Sequence, residues 1–389
     1  MRFLPFFIVL ALSAAPAFAA PCGGDFGDFI SDLKTEAVSR GHDPVTVQHF
    51  FGQVKHDGAV LKADRAQGVF QKPFTKFAQR LISARRLKTG HSKAEEYDAI
   101  FDRVEADYGV NRGILLAFWA FETDFGGFQG DFNTLNALAT LSHDCRRPAL
   151  FRPQIFAALR LFEQGDFDPI RTTGAWAGEI GMVQMLPQDI LDNGTDGDGD
   201  GHVSLKTSAP DALMSGGRML RHLGWNAGEA WLQEVELPAS FDWSLTGLRT
   251  TRTSSEWAVM GVQAREGSLA ENLPGNILLP EGRSGPAFIA YPNFRVLFEW
   301  NQSYTYVLTA AYFATRLEGA PIMRLGKPDP GLSAGQMKQL QKKLAARGYD
   351  VGKIDGILGG GTRAAVQDEQ KKLGMPADAW PTRDLLNRL

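Results

Sequence analysis

The sequence predicts a mainly α-helical protein of more than one domain, and three observations support this prediction. Most of the chain carries apolar residues at helical spacing, strand-like segments are confined to about residues 233–292, and a proline-containing stretch at 321–331 sets off a small C-terminal segment. With 389 residues, 44% of them hydrophobic and 22% charged, the chain has enough apolar material for sizeable cores.

The N-terminus is typical of a cleavable export signal. Arg2 precedes an apolar run at 3–15, and Ala-Phe-Ala at 17–19 forms a cleavage site, so we expect residues 1–19 to be removed. The mature protein would then be periplasmic or secreted. The alternative is an uncleaved anchor, but the apolar run is short for a membrane span. Pro21 directly before Cys22 does not suit lipid attachment, so no lipid anchor is expected.

Cys22 and Cys145 are the two cysteines of the sequence. In a chain that enters an oxidising compartment they are expected to form a disulfide. Closing so long a loop would stabilise the fold by roughly 4 to 5 kcal/mol in the chain-entropy account, a figure that measured bridges usually fall below. The alternative is two buried free thiols.

Charge gives no reason to expect a nucleic-acid partner. The formal net charge is -3, and no basic face dominates the chain. From Arg324 onward twelve Lys and Arg stand against seven Asp and Glu. The C-terminal segment is therefore basic and could favour an anionic surface, although exposed lysines mostly serve solvation.

The region before residue 165 is predicted to be rich in helices. Its apolar residues recur at helical spacing, which describes an α-helical domain. The predicted helical segments are 26–79, 92–108, 111–125, 134–141 and 151–164.

Glu122 is the first carboxylate in the otherwise apolar helix predicted to begin at Asn111. Glycines at 126 and 127 predict the end of this helix, so Glu122 would lie in the last turn, where the helix dipole disfavours an anion. Burial and the dipole both raise the pKa of a carboxyl group, and a carboxyl that is protonated near neutral pH can act as a general acid on a glycosidic oxygen. The alternative is a Glu that points to solvent as the helix ends.

The stretch 174–187 has three glycines at spacings of four and three, which permit close backbone approach to a ligand. Gln184 offers an amide that both donates and accepts hydrogen bonds. Considered alone, however, the stretch is explained more simply as a tight helix contact lined by small residues.

An acidic loop at 196–211 has the spacing of an EF-hand calcium loop. Carboxylates stand at positions 1, 3 and 5, and a glycine at position 6 permits the turn. His202 at position 7 would offer its backbone carbonyl, and Asp211 could replace the usual Glu at position 12 if the loop is enlarged. We expect structural Ca²⁺ here and no cofactor for catalysis, the alternative being a solvated acidic turn. The predicted ligands are Asp196, Asp198, Asp200, His202 and Asp211.

Between about 233 and 292 the pattern changes to short strands separated by Gly and Pro turns. The strand-like segments are 234–238, 276–280 and 286–291, which predict a small β-rich insertion. Helix returns from Phe294 to Leu317. Asn301 and Tyr306, polar groups in this apolar region, are candidates to face an active site.

Residues 321–331 are predicted to be a linker, made stiff by Pro328 and Pro330, that holds a separate module away from the rest of the chain. The alternative is that the module packs on the larger domain and helps it to fold. Within 332–389 we expect two helices joined by an Asp-Gly turn at 355–356, with Thr362 as the N-cap of the second.

Together these motifs resemble the lytic murein transglycosylases of the B type. The resemblance is carried, in this order, by Glu-Thr-Asp-Phe-Gly at 122–126, Ala-Leu-Ala-Thr-Leu at 137–141, Gly-x-x-Gly-x-x-Gln-x-x-Pro at 178–187, the acidic loop and Asn-Gln-Ser at 301–303. Gly-Tyr at 348–349, Asp-Gly at 355–356 and Thr362 resemble the small helical peptidoglycan-binding domain. The two resemblances cover almost the whole mature chain.

The resemblance implies a lysozyme-like α-helical catalytic domain over 20–320, with the β-rich insertion, and a three-helix peptidoglycan-binding module over 332–389. It implies periplasmic cleavage of the β-1,4 bond between N-acetylmuramic acid and N-acetylglucosamine. The C6 hydroxyl of muramic acid would be the nucleophile and would give a 1,6-anhydro product, so Glu122 would serve as single acid and base where ordinary glycosidases use two carboxylates.

Further site residues follow from the same resemblance. Gln184, Asn301 and Tyr306 match residues that line the site. Arg146 and Arg147 match a pair that could hold the carboxylates of muropeptides by charge-assisted bonds.

The sequence also departs from the family pattern. Members often carry a Ser where Ala175 stands, so a hydroxyl that could orient the catalytic Glu is missing, and Glu179 or water is left to replace it. Trp300 stands where Tyr is common, and Glu369 stands where the module usually has Phe.

Two alternatives to a lytic transglycosylase stay open. The first is a non-catalytic peptidoglycan-binding scaffold, motivated by Ala175, and the second is a muramidase that hydrolyses the same bond with water. In each case the expected partner is the glycan strand. We expect a monomer, with complexes of cell-wall synthesis or degradation as candidate partners.

Overall fold

The computed structural model describes residues 22–66 and 72–389. Over these residues the chain forms seventeen α-helices, one antiparallel sheet of five strands and one of two. The prediction of a mainly α-helical fold with a small β-rich insertion is therefore confirmed. Within the same ranges no helix has the length and apolar character needed to cross a bilayer. The predicted signal, residues 1–19, lies outside the described residues.

In the described part of the chain, eleven helices precede the insertion. The helix predicted over 92–108 is in fact two helices, because Tyr97 leaves helical geometry and packs its ring edge-on against Trp119, with the ring centroids 5.7 Å apart. The helices are α1 (Phe26–Ser39), α2 (Pro44–Phe50), α3 (Gly58–Arg65), α4 (Phe74–Leu81), α5 (Ala84–Glu96), α6 (Asp98–Tyr108), α7 (Arg112–Thr123), α8 (Thr134–His143), α9 (Pro148–Gln164), α10 (Pro187–Asn193) and α11 (Ala209–His222).

The helix α7 lies at the centre of the larger core. Every residue from Gly113 to Ala120 is buried, as its all-round apolar sequence predicts. It packs mainly against α14 (Tyr304–Leu317), which follows α13 (Pro292–Trp300). A second core joins α1 and α2 to α8, α9 and α10. The end of α7 lies between these two cores.

The insertion has its own sheet and core. Its strands pair antiparallel in the order β4-β6-β7-β3-β5, with Ile277 opposite Ile289 in the centre. Trp257 is fully buried beneath the sheet and donates its indole N–H to the carbonyl of Gly275 at 2.9 Å. Three strands overlap the predicted segments, with bounds that differ by up to two residues, whereas the two-residue strands β4 and β5 are too short to show alternation. The elements are β3 (Leu232–Glu236), β4 (Arg252–Thr253), α12 (Ser254–Val259), β5 (Gln263–Ala264), β6 (Pro274–Leu278) and β7 (Phe288–Ala290), while β1 (Phe132–Asn133) pairs with β2 (Thr173–Gly174) elsewhere.

The C-terminal module consists of α15 (Ala334–Ala346), α16 (Gly360–Lys372) and α17 (Arg383–Arg388) around a small apolar core. The expectation that Thr362 caps α16 is wrong. Gly359, in an extended conformation, precedes the helix, and Thr362 is buried inside its first turn, where its hydroxyl accepts from the Gln341 amide at 3.4 Å.

The expectation that the linker holds the module away from the larger domain is also wrong. Residues 321–331 run against the insertion, where the Lys327 N–H donates to the carbonyl of Ser284 at 2.8 Å, and the carbonyl of Asp329 accepts the indole N–H of Trp380 in the module at 2.8 Å. Across the interface Arg249 pairs with Asp368 at 2.7 Å, and the buried Gln367 amide donates to the carbonyl of Thr246 at 2.9 Å. The module therefore packs on the larger domain, as the alternative held.

Candidate active site

Glu122 lies in the last turn of α7, as predicted, and two donors hold its carboxyl group. The Tyr306 hydroxyl donates to Oε1 at 2.5 Å, and the Trp300 indole nitrogen donates to the same oxygen at 3.2 Å. Both donors come from the chain between the end of α13 and the first turn of α14. The carboxyl group is thereby fixed in direction.

The environment of Glu122 also sets its pKa in the range that a group needs if it is to give and take a proton. Burial raises the pKa of Glu122 to about 7. The hydrogen bonds from Tyr306 and Trp300 lower this pKa, and the negative charge of Glu179 raises it. Near neutral pH the carboxyl group is thus poised between its protonated and ionised forms, where general acid–base catalysis is most efficient.

The helix ends before the glycines that were predicted to stop it. Asp124 and Phe125 adopt left-handed backbone conformations, with φ of 51° and 61°. Asp124 is held there by Arg85 at 2.5 Å and by Arg86 at 2.9 Å, and this pairing lowers the pKa of its carboxyl group against the effect of burial. Glu122 therefore lies within two residues of the end of α7.

Trp300 is the partner of Glu122 that sequence reasoning missed. Its ring stacks on Phe118, one turn before Glu122, with centroids 4.4 Å apart and planes 11° apart. An indole N–H is a donor only, which suits a carboxylate acceptor, but nothing in the sequence around position 300 links this Trp to Glu122. Trp300 and Tyr306 provide the bonds that orient the Glu122 carboxyl group.

The glycine-rich stretch at 174–187 packs against the end of α7 through Thr123, whose hydroxyl donates to the carbonyl of Met182 at 2.7 Å. Two of its glycines serve close packing, as the simpler interpretation expected, but residues 175–186 form turns and a short bridge, so the expected contact between two helices is wrong. A Cβ on Gly178 would lie 2.3 Å from Leu138, and one on Gly181 would lie 2.5 Å from Leu205.

Gln184 and Asn301 shape the two loops beside Glu122. Gln184 has a left-handed φ of 55°, and its amide donates to the carbonyl of Gly181 at 2.7 Å. The side-chain oxygen of Asn301 accepts from the Ser303 N–H at 2.9 Å. Of the predicted lining residues, Tyr306 is the one that hydrogen-bonds to Glu122 in the described chain.

Arg146 and Arg147 converge on one buried carboxylate. Both donate to Oδ1 of Asp64, Arg147 at 2.6 Å, and the Asp64 side chain is only 1% exposed. The side chains of the two arginines nevertheless stay 41% and 38% exposed. Asp64 therefore anchors the pair while each arginine keeps a face toward solvent.

Glu179, the residue considered as a replacement for the missing Ser, lies close enough to Glu122 for their charges to interact. Burial raises the pKa of Glu179. Its Oε2 is enclosed and has no hydrogen-bond partner within the described residues. Glu179 thus adds a second protonatable carboxyl to the site.

The acidic loop gathers three of the four carboxylates predicted to bind the ion. Carboxylate oxygens of Asp196, Asp198 and Asp211 lie within 4.8 Å of one another. Asp211 is fully buried and accepts the Gly197 N–H at 2.8 Å, so it closes the loop from α11 as the enlarged-loop hypothesis requires. Asp200 turns its carboxylate to the His202 N–H, at 2.9 Å, and thus stands outside the cluster.

The predicted bridge between Cys22 and Cys145 is present, with Cα atoms 5.3 Å apart. Beside it the Gly23 N–H donates to the carbonyl of His143 at 2.8 Å. The first described residues are therefore held against the end of α8.

Comparison with known proteins gives a consistent result for both parts of the chain. Residues 25–315 match the family described as the transglycosylase SLT domain, and residues 333–389 match the putative peptidoglycan binding domain. The membrane-bound lytic murein transglycosylase B of Escherichia coli (strain K12) is 25% identical over 305 residues, which cover 74% of this chain and 82% of that protein.

Solved structures extend the comparison. SltB3 from Pseudomonas aeruginosa, in complex with NAG-anhNAM-pentapeptide, is 36% identical with a TM-score of 0.86, covering 94% of this chain and 99% of that one. The Escherichia coli lytic transglycosylase Slt35, in complex with calcium, shares the fold with a TM-score of 0.65 at 24% identity, covering 77% of this chain and 96% of that one.

Proposed function

The chain belongs to the transglycosylase SLT domain family and is a peptidoglycan lytic transglycosylase, and from this premise we propose that Glu122 is its single catalytic acid and base. The observation that carries the proposal is the site of Glu122 itself. A carboxyl group with a pKa of about 7, at the end of a buried helix and held by two donors, can give up a proton and take one back at the same pH.

The proposed reaction uses the C6 hydroxyl of muramic acid instead of water. Glu122 protonates the glycosidic oxygen as the bond from C1 to that oxygen breaks. The carboxylate then takes the proton of the C6 hydroxyl as the C6 oxygen bonds to C1, so no water is consumed. Tyr306 and Trp300 hold Oε1 and stabilise the carboxylate between the two steps. Oε2 is then the oxygen that carries the proton.

The remaining predicted residues would bind the substrate around this group. We propose that Gln184, Asn301 and Glu179 line the cleft for the sugar rings. Arg146 and Arg147, held by Asp64 with exposed faces, would bind carboxylates of the stem peptide, since guanidinium and carboxylate form paired charge-assisted bonds.

We propose a structural calcium ion in the acidic loop. The donor set suits it, because Ca²⁺ prefers several carboxylate and carbonyl oxygens, and three carboxylates converge here. The Slt35 structure in complex with calcium supports the proposal. Asp196, Asp198 and Asp211 would hold the ion, and Asp200 with the carbonyl of His202 are the further candidates. The chemistry itself is proton transfer and assigns the ion no step.

The proposed cellular setting is the periplasm. A cleaved segment at 1–19, a catalytic domain at 20–320 and a peptidoglycan-binding module at 332–389 would place the enzyme on glycan strands as a monomer. The disulfide between Cys22 and Cys145 is in keeping with an oxidising compartment.

The test is digestion of purified peptidoglycan followed by mass spectrometry of the products. We expect 1,6-anhydro ends, which are lighter by one water than reducing ends, and we expect Glu122→Gln to abolish cleavage. Reducing ends would identify a muramidase. Binding without cleavage by the wild-type protein would identify a non-catalytic scaffold.

A further inference from the structure

Both groups that hydrogen-bond to Glu122 belong to one short segment, residues 300–306, which we call the donor segment. Trp300 ends α13 and Tyr306 lies in the first turn of α14. Between them stands Tyr304, which is 8% exposed and packs its ring against Phe298, 6.5 Å away between centroids. The position of Tyr304 therefore helps to set where both donors lie.

The face of Tyr304 is covered by a residue of the C-terminal module. The guanidinium carbon of Arg363, on α16, lies 4.6 Å from the centroid of the Tyr304 ring. Arg363 also donates to the carbonyls of Pro280 at 2.7 Å and Leu279 at 3.4 Å. Its planar cation is thus fixed in the groove between the insertion and the donor segment, where it can stack on the ring as arginine does.

The surroundings of Arg363 hold it in this place. The Arg363 Nε atom is enclosed, and the Trp380 ring lies 6.0 Å from the guanidinium carbon. Further along the same face, Gln367 and Asp368 bind the insertion through the bonds already described. The packing of α16 on the insertion therefore places the Arg363 guanidinium group over the Tyr304 ring.

We propose that Arg363 is a positioning residue for the reaction. By packing on Tyr304 it fixes the donor segment, so that Trp300 and Tyr306 keep their hydrogen bonds to Glu122. This inference rests on the proposed role of Glu122. It makes the C-terminal module part of the catalytic unit, in addition to any binding of polymer.

The test compares full-length variants on short soluble glycan chains, which the module has no need to anchor. Arg363→Gln removes the cation, Arg363→Lys keeps the charge without the planar group, and Lys342→Ala removes an exposed cation elsewhere in the module as the matched control. We expect kcat of Arg363→Gln to fall about 10- to 100-fold with little change in KM, since a small misplacement of catalytic groups has effects of that size. We expect Arg363→Lys to recover part of the loss.

The pH dependence of kcat/KM provides a second measurement, which would not change if Arg363 only stabilised the fold. Because Tyr306 and Trp300 stabilise the ionised form of Glu122, loosening them should move the limb set by Glu122 to higher pH in Arg363→Gln. The proposal would be overturned if folded Arg363→Gln had the kcat of the wild type and the same pH profile of kcat/KM. If Arg363→Gln does not fold, kcat and the pH profile of Arg363→Lys are compared with the wild type by the same criteria.

A second variant separates coupling from general destabilisation. Tyr304→Leu removes the receiving ring, so adding Arg363→Gln to it should cause little further loss of kcat. Losses that multiply independently would contradict the proposal. Absence of anhydro products from the wild type, or full activity of Glu122→Gln, would instead count against the proposed function.

Discussion

The indole nitrogen of Trp300 lies 3.2 Å from Oε1 of Glu122, so a residue expected from the sequence to depart from the family pattern is itself a donor to the proposed catalytic group. The stacking of the Trp300 ring on Phe118 holds the indole in the orientation of this bond. In this chain Ala175 has no hydroxyl to offer, and the indole of Trp300 donates to Glu122 instead. Four predictions follow from this site and from its supports.

Trp300→Phe should weaken catalysis without unfolding the protein. The substitution keeps an aromatic ring for stacking on Phe118 but removes the N–H donor. Because that donor favours the ionised carboxyl, the pKa of Glu122 should rise, by about one pH unit for a lost bond to a charged group. The pH dependence of kcat/KM measures this. Trp243→Phe, in the insertion, is the control and should leave the profile unchanged.

Glu122→Gln should stabilise the protein above neutral pH. The folded-state pKa of Glu122, about 7, exceeds its ordinary value of 4.5, so the folded state binds the proton more tightly than the unfolded chain does. The wild type therefore loses stability as pH rises from 4.5 to 7, by at most about 3 kcal/mol in total.

The difference in melting temperature between wild type and Glu122→Gln should consequently be small at pH 4.5, grow with pH and level off above 7. Thermal unfolding at a series of pH values checks it. A difference that is constant across this range would show that Glu122 titrates near its ordinary value.

Chelation should lower the melting temperature of the wild type. Calcium that binds only the folded state would stabilise it by RT ln(1 + [Ca²⁺]/Kd), on the order of 1 to 3 kcal/mol at millimolar calcium. Asp198→Asn should abolish most of the response because Asp198 belongs to the convergent cluster. Asp192→Asn, which lies outside the loop and accepts from the Gln188 amide at 2.9 Å, is the matched control and should retain the full response. An unchanged wild-type melting curve in chelator would rule out a stabilising calcium ion.

Asp64→Asn should reduce the preference for glycan that carries stem peptides. Asp64 holds both Arg146 and Arg147, and a neutral amide would hold them less firmly. We expect kcat/KM to fall several-fold on peptide-bearing chains, about 1 kcal/mol for a weakened charge-assisted bond, and to change little on chains without peptide. Asp144→Asn, which loses an ion pair with the exposed Arg65, is the control. Equal losses on both substrates would assign Asp64 a structural role alone.

The sequence was sufficient to place Glu122 and to single out Tyr306 as a residue that faces the site, but not to show that Trp300 and Tyr306 donate to the Glu122 carboxyl group. An apolar run that ends in glycines predicts a buried helix with a carboxyl group in its last turn, because burial and helix ends leave local patterns. Trp300 and Tyr306 lie 178 and 184 residues away along the chain, and contacts at such separation leave no local pattern.

The same reason explains the two errors about the module. Pro328 and Pro330 predict stiffness, which is a local property, but docking depends on side chains such as Gln367 and Arg363 that meet the insertion only after folding. Thr362 was predicted as an N-cap from its residue type. Burial beside Gln341 is what determines its place in the helix.

The order of these parts along the chain has a consequence for synthesis. Glu122 is made well before Trp300, and Trp300 before Arg363. If Arg363 positions the donor segment as proposed, the bonds that direct the carboxyl group become secure only once Arg363 has been made and has docked. An enzyme that cuts the cell wall would thus reach full activity only as a finished molecule, and fragments cut short at the C-terminus would leave the wall largely intact.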